Sequence, residues 1–156
     1  MQRLPGENAW ELLHPRCALE RAEDMEEVEA MLAADEVEIA ADELRWLLSG
    51  CPDLIRAHRL LGELALAEND VSLARGHFGR AYFVVERALR KAGNPSPLPY
   101  ARPANQDFFE AGKGLVHCLM KLDKKQMAGE VVETLLHCDP SDPLGVAALL
   151  NESENK

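Results

Sequence analysis

The sequence predicts an all-α protein built from repeated antiparallel helix pairs. Ala, Leu and Glu dominate its 156 residues and aromatic residues make up only 5%, a composition that favours helices over strands. An alanine followed four positions later by a larger apolar residue also recurs in three segments. The alanines are Ala40, Ala74 and Ala128, and the larger residues are Leu44, Phe78 and Val132.

These matched positions divide the chain into three units, 21–54, 55–88 and 109–142. The first two abut with a period of 34 residues, and a 20-residue insertion, 89–108, precedes the third. The alanine lets the second helix of a unit approach the first closely, and the larger residue lies on the same helix face. A single helix pair cannot bury its apolar face alone, whereas three stacked pairs can.

The second unit carries a recognisable repeat pattern. It has Leu61-Gly62 in its first helix, Asn69-Asp70 at its turn, and Ala74, Phe78 and Ala81 in its second helix. With the matched positions of the other units, this resembles the tetratricopeptide repeat family. The resemblance implies a right-handed α-solenoid of about three repeats followed by a capping helix.

The ends of the chain are predicted to cap this array. Residues 1–20 are too short for a full unit, and we expect them to dock as an N-terminal cap that includes Trp10. Asp70 is placed to cap a long helix, Val71 to Lys91. At the other end, residues 143–156 should form a short helix, Pro143 to Leu150, and a polar tail.

The insertion is rich in proline. Four prolines between Pro95 and Pro103 predict an extended segment, since proline does not fit a helix interior. Long loops in compact domains are often functional, so Tyr100 and Arg102 are candidate contacts to a partner. The alternative is a rigid spacer between the second and third units.

Charge and cysteine usage narrow the classes of function. The formal net charge is −10, and residues 1–54 account for all of it, so the surface should repel nucleic acid and anionic membranes. The chain shows neither an export signal nor a membrane-spanning apolar run. The four cysteines contain no C-x-x-C pair, which predicts reduced thiols in a cytoplasmic protein.

No arrangement of residues indicates catalysis, a metal or another cofactor. The pairs His117-Cys118 and His137-Cys138 fall inside predicted helices, where neighbouring side chains diverge by about 100°. His14 and Cys17 lack the second ligand pair of a zinc site. No Ser or Cys lies in a nucleophile motif and the scattered glycines form no phosphate loop. We therefore expect no enzyme activity.

The resemblance implies a binding groove on the first helices of the units. By position, Leu32, Leu66 and Met120 would form an apolar stripe, and Arg56, Arg59, Lys113 and Lys121 a basic cluster. Such a groove suits a peptide or helix with apolar and acidic residues. The alternative is that the bases pair within the chain, as Arg59 and Glu63 are placed to do. The groove positions are Met25, Glu29, Leu32, Arg56, Arg59, Glu63, Leu66, Lys113, His117, Met120 and Lys121.

Two functions follow from these expectations. The first is a non-enzymatic adaptor that binds a peptide or helix of another protein in the groove. The second is a self-associating scaffold subunit, because a short array leaves two exposed ends. A homodimer would then form through Trp10 or through the last helix, Val146 to Leu150.

Overall fold

The computed structural model describes residues 1–4 and 8–151, and the predicted tail beyond Asn151 lies outside them. The prediction of an all-α protein is confirmed: the described residues form eight helices and one small two-stranded ribbon. The strands are β1 (Gln2–Arg3) and β2 (Trp10–Glu11); the helices are α1 (Arg16–Glu20), α2 (Ala22–Ala33), α3 (Val37–Gly50), α4 (Ile55–Ala67), α5 (Val71–Lys91), α6 (Pro103–Lys121), α7 (Lys125–Cys138) and α8 (Val146–Leu149).

Three helix pairs make up most of the molecule: α2–α3, α4–α5 and α6–α7, called here the first, second and third pairs. The same turn joins the helices of every pair. Asp35, Asn69 and Asp123 each adopt a left-handed φ of 60–61°, which Asn and Asp tolerate better than other non-glycine residues. In each turn the next residue's N–H bonds back to a carbonyl of the preceding helix, for example Asp70 to Ala65 at 2.9 Å. This double-bonded helix end satisfies carbonyls that would otherwise lack partners.

The core consists of two apolar clusters that meet at α4. One lies within the first pair and includes Met25, Val28 and Leu44. The other joins the second and third pairs around Phe78 and Phe108. Because α4 contributes Leu61 to the first cluster and Ile55 to the second, it links the first pair to the rest.

The structure gives the outcome for three helix ends predicted from the sequence. Asp70 accepts a hydrogen bond from the Leu73 N–H at 3.2 Å, as expected for the cap of α5. The helix predicted after residue 108 instead begins at Pro103, because proline fits the first helical position, where no N–H is needed. The last helix is shorter than predicted and begins at Val146, whose N–H bonds to Asp142 at 2.9 Å.

The prediction that all four cysteines are thiols is wrong. Cys17 of α1 and Cys51 at the end of α3 form a disulfide, with their Cα atoms 5.8 Å apart. The two residues are 34 positions apart in the sequence, so spacing alone did not suggest the bridge. Cys118 and Cys138 are free and buried.

Candidate protein-binding surfaces

Ion pairs connect the helices α2, α4 and α6, and the outward residues of these three helices are called here the first-helix face. Glu29 of α2 forms an ion pair with Arg56 of α4. One turn further along α4, Arg59 binds Asp107 of α6 at 2.8 Å. The two links connect the helices in the order α2–α4–α6 at this surface.

The predicted basic cluster is largely engaged within the chain. Nε of Arg59 binds Asp107 and Nη1 binds Glu63, both at 2.8 Å. Burial alone would lower the pKa of Arg59, but these two carboxylates raise it above its ordinary value. Arg56 is likewise paired with Glu29. The intrachain pairing considered in the sequence is therefore present, and these two arginines serve chiefly to join helices.

The predicted apolar stripe is only partly available. Leu32 packs against the cluster of the first pair, and Leu66 and Met120 pack against the other cluster, each leaving some of its side chain in solvent. Met25 is only 2% exposed. It lies three residues before the fully buried Val28, on the core side of α2, and cannot contact a partner.

The remaining groove candidates lie on α6 and at the edge of α4. Lys113 and His117 are half-buried, and Lys121 and Glu63 are exposed. Across residues 1–4 and 8–151, neither Lys113 nor Lys121 takes part in a salt bridge. These two lysines therefore supply the positive charge that the first-helix face can offer to a ligand.

The Pro-rich segment is anchored rather than free. The Tyr100 hydroxyl donates to Glu110 at 2.7 Å and the Tyr100 N–H donates to Asp139 at 2.9 Å. The hydrogen bond to Glu110, with smaller effects of burial and charge, raises the pKa of the Tyr100 phenol. Arg102 is half-buried immediately before α6. Tyr100 thus ties the loop to α6 and to the end of α7.

The structural role of one residue, Asn105, was not predicted from the sequence. Asn105, which is 0% exposed, accepts a hydrogen bond from the Leu12 N–H at 2.9 Å. Its amide group donates to the carbonyls of Trp10 at 3.2 Å and Pro99 at 2.9 Å. It therefore joins the N-terminal segment, the loop and α6. A lone Asn in a helical stretch carries no sequence signal of this role.

The outer sides of α3, α5 and α7, the second-helix face, carry large exposed apolar side chains that the sequence analysis did not single out. Trp46 is 66% exposed and Ile39, seven residues earlier on α3, is 57% exposed. On α5 and α7 the exposed fractions are 49% for Leu73, 44% for Phe83 and 38% for Met127. Tryptophan and phenylalanine at a protein surface are typical of interfaces.

The buried thiols lack the properties of nucleophiles. Burial raises the pKa of Cys118 to about 11 and that of Cys138 to about 12, so both are protonated at neutral pH. Within the described residues no three His, Cys, Asp or Glu side chains are arranged to hold a metal ion. In the same part of the chain, no helix is long and apolar enough to cross a bilayer.

A comparison with known protein families identifies the family of this chain. Residues 17–152 match the family described as "Transcriptional repressor TCF25", which covers all three helix pairs and most of the chain. The chain belongs to the TCF25 family. No curated protein and no solved structure gives a significant match.

Membership of the TCF25 family corrects two expectations. The assignment to the tetratricopeptide repeat family is wrong, because the match is to TCF25. Matched small and large positions are what any stack of close-packed helix pairs needs, so they do not identify one family. The cytoplasmic assignment is contradicted too, because the description of the family as a transcriptional repressor indicates the nucleus.

Proposed function

We propose that this TCF25-family domain supports transcriptional repression by binding a segment of another protein on its first-helix face. The observation that carries the proposal is the pair of ion-pair links, Glu29–Arg56 and Arg59–Asp107. They preform a surface from three helices, and a preformed surface loses little conformational freedom on binding. Leu66 and Met120 supply apolar contact there, and Lys113 and Lys121 supply charge.

The finer architecture belongs to the same proposal. The three pairs would continue one right-handed solenoid, with units 21–54, 55–88 and 109–142 between the N-terminal segment and α8. The turn repeated at Asp35, Asn69 and Asp123 supports regular stacking. The partner segment would then lie along the groove formed by successive first helices.

The domain acts in this proposal without catalysis, cofactor or nucleic-acid contact. The raised thiol pKa values of Cys118 and Cys138 disfavour nucleophilic chemistry. The net charge of −10 opposes binding to the phosphate backbone. Repression by a protein of this charge is best explained by recruitment of, or competition for, another protein.

A tethered-repression assay tests this function. The chain is fused to a heterologous DNA-binding domain, and reporter transcription is measured for wild type and for Leu66→Glu with Lys113→Glu. Introducing two negative charges into the first-helix face should reduce repression at least fivefold. Each would face the acidic residues of the partner segment, and one desolvated like charge lowers the binding free energy by on the order of 1 kcal/mol or more. The matched control, Arg3→Glu with Leu19→Glu at two exposed positions outside both helix faces, should repress like wild type.

Equal repression by the face variant and wild type, at equal protein level, would contradict the proposed surface. Repression lost in both double variants would point to general destabilisation. Specific binding of duplex DNA by the isolated chain, measured by mobility shift, would contradict the protein-binding function itself.

Self-association remains the second candidate, and the structure favours a different residue for it. Trp10 is half-buried and packs against the core, so it does not project towards a second subunit. Trp46, at 66% exposed, is the candidate contact to a second subunit. The molar mass in solution decides this candidate: a mass near twice 17.3 kDa that falls to the monomer value in Trp46→Ala would support a dimer through the second-helix face.

A further inference from the structure

An open groove of about 560 Å³ runs along α5 on the second-helix face. It is lined over four turns of the helix, from Ser72 to Arg87, and ends at Asp53. None of the residues that line it belongs to the first-helix face, so it constitutes a separate surface.

Three arginines, Arg75, Arg80 and Arg87, line the groove. Arg80 pairs with Asp53 at 3.2 Å but keeps 54% of its side chain exposed. For Arg75 and Arg87, the part of the chain that the structure describes contains no salt-bridge partner. A strongly acidic protein thus concentrates unpaired guanidinium groups at one site, and these groups bind carboxylates in a two-pronged manner.

The floor of the groove is unusually open. A Cβ atom added at Gly76 would meet nothing within 4 Å, and one at Gly79 would meet the Phe83 ring only at 3.8 Å or more. By contrast, a Cβ at Gly62 would lie 2.8 Å from the Phe78 ring, so packing explains that glycine. Glycine in a helix interior is unfavourable, and internal packing does not account for Gly76.

The groove also has an apolar wall. Phe83 lies on it with 44% of its surface in solvent, and its ring meets that of Tyr82 edge-on at 5.0 Å, which limits its movement. An exposed aromatic ring beside arginines suits a ligand that carries both an apolar side chain and carboxylates.

We infer that the α5 groove binds an acidic, apolar segment of a partner protein. Carboxylates of the segment pair with Arg75, Arg80 and Arg87, and an apolar side chain lies over Gly76 against Phe83. The outer arginines are twelve residues apart, or about 18 Å along the helix, so five or six extended residues or three helical turns span them. The inference does not depend on the first-helix face.

Charge complementarity identifies this occupant in preference to nucleic acid. The carboxylate of Asp53 in the groove lining and the net charge of −10 oppose a nucleic acid, which carries a negative charge on every nucleotide, more than a peptide with only a few carboxylates. A carboxylate-bearing peptide needs only the local field of the arginines. Its apolar side chains also gain from contact with Phe83, which a sugar–phosphate chain cannot match.

Fluorescence anisotropy with defined peptides tests the inference on the full chain. The probe is a fluorescein-labelled 14-residue peptide in which Glu and Leu alternate in pairs, at about 50 mM salt. Companion probes replace every Glu by Lys, replace every Leu by Ser, or use a single-stranded oligonucleotide of similar length. We expect binding of the Glu-Leu peptide only, weakening as salt is raised.

Two sets of variants locate the site. Arg75→Ala with Arg87→Ala should weaken binding of the Glu-Leu peptide at least tenfold, whereas the charge-matched control Arg3→Ala with Arg16→Ala should change it less than twofold. Gly76→Gln places a side chain in the open floor, so it should also weaken binding at least tenfold. Its helical circular dichroism and thermal midpoint should equal or exceed those of wild type, which separates blockage from unfolding.

Several results would overturn the inference. These are undetectable binding of the Glu-Leu peptide at millimolar protein, equal effects of the two arginine double variants, wild-type affinity in Gly76→Gln, and tighter binding of the oligonucleotide. Leu66→Glu with Lys113→Glu should leave peptide binding intact, so failure of the first-helix face in the repression assay would not affect this site.

Discussion

Gly114→Ala is expected to lower the free energy of unfolding by about 3 kcal/mol, because it overpacks a core that has no room to relax. A Cβ at residue 114 would lie 2.5 Å from the Phe78 ring. Phe78 is only 1% exposed, and a Cβ at Gly62 on its other side would lie 2.8 Å away. The ring therefore lies between two glycines of α4 and α6 and cannot move away from one without approaching the other.

Denaturant unfolding followed by circular dichroism measures this effect, with Gly76→Ala as the matched control. That control removes a helical glycine with open space around it and should stabilise the chain by up to about 1 kcal/mol. In the double variant Gly114→Ala with Phe78→Leu, the smaller side chain should recover part of the loss, so the two changes should not be additive. A stability of Gly114→Ala equal to that of Gly76→Ala would contradict the proposed tight contact.

Asn105→Ala is expected to lower the free energy of unfolding by about 3–5 kcal/mol, since it leaves several buried polar groups without partners. Leu12 loses the acceptor of its N–H, and Trp10 and Pro99 lose donors to their carbonyls. The N-terminal segment and the Pro-rich loop would both lose their attachment to α6. Leu12, only 7% exposed, would lose part of its burial with them.

Two measurements distinguish local detachment of the N-terminal segment from global unfolding. In a Trp46→Phe background the remaining tryptophan is Trp10, so its fluorescence should shift to longer wavelength in Asn105→Ala before the helices unfold. Gln106→Ala, at the half-buried neighbouring position, should change stability by no more than about 0.5 kcal/mol. Unchanged stability and fluorescence in Asn105→Ala would show that the three hydrogen bonds do not hold this segment in solution.

Local sequence signals were sufficient to predict that the chain forms helix pairs. The 34-residue spacing of Asp35 and Asn69, and of the alanines that follow them, encodes a turn and a close helix approach within a few residues of each other. Such short-range rules depend on backbone conformation and helix periodicity, which neighbouring residues determine. The same locality explains the wrong family assignment, because unrelated helical repeats obey the same packing rules.

The position of a residue along a helix was not sufficient to predict whether it is available to a ligand. Carried over by repeat position, Met25 appeared to line a groove, but tertiary packing buries it. Arg59 appeared to be available to a ligand, but Asp107 lies 48 residues away in the sequence and becomes its partner only when α6 packs beside α4. A charged side chain's function depends on which opposite charge the fold brings close, and pairwise sequence spacing does not encode that.

The sequence by itself determined the helical class, the repeated pairs, the Asp70 cap and the acidic overall charge, because each depends on neighbours in the chain or on composition. Only the tertiary structure decided the Cys17–Cys51 bridge, the role of Asn105, the packing of Phe78 between Gly62 and Gly114, and the open arginine groove of α5. All of these join residues far apart in sequence. Their energies arise from burial and from distances that exist only after the helices have packed.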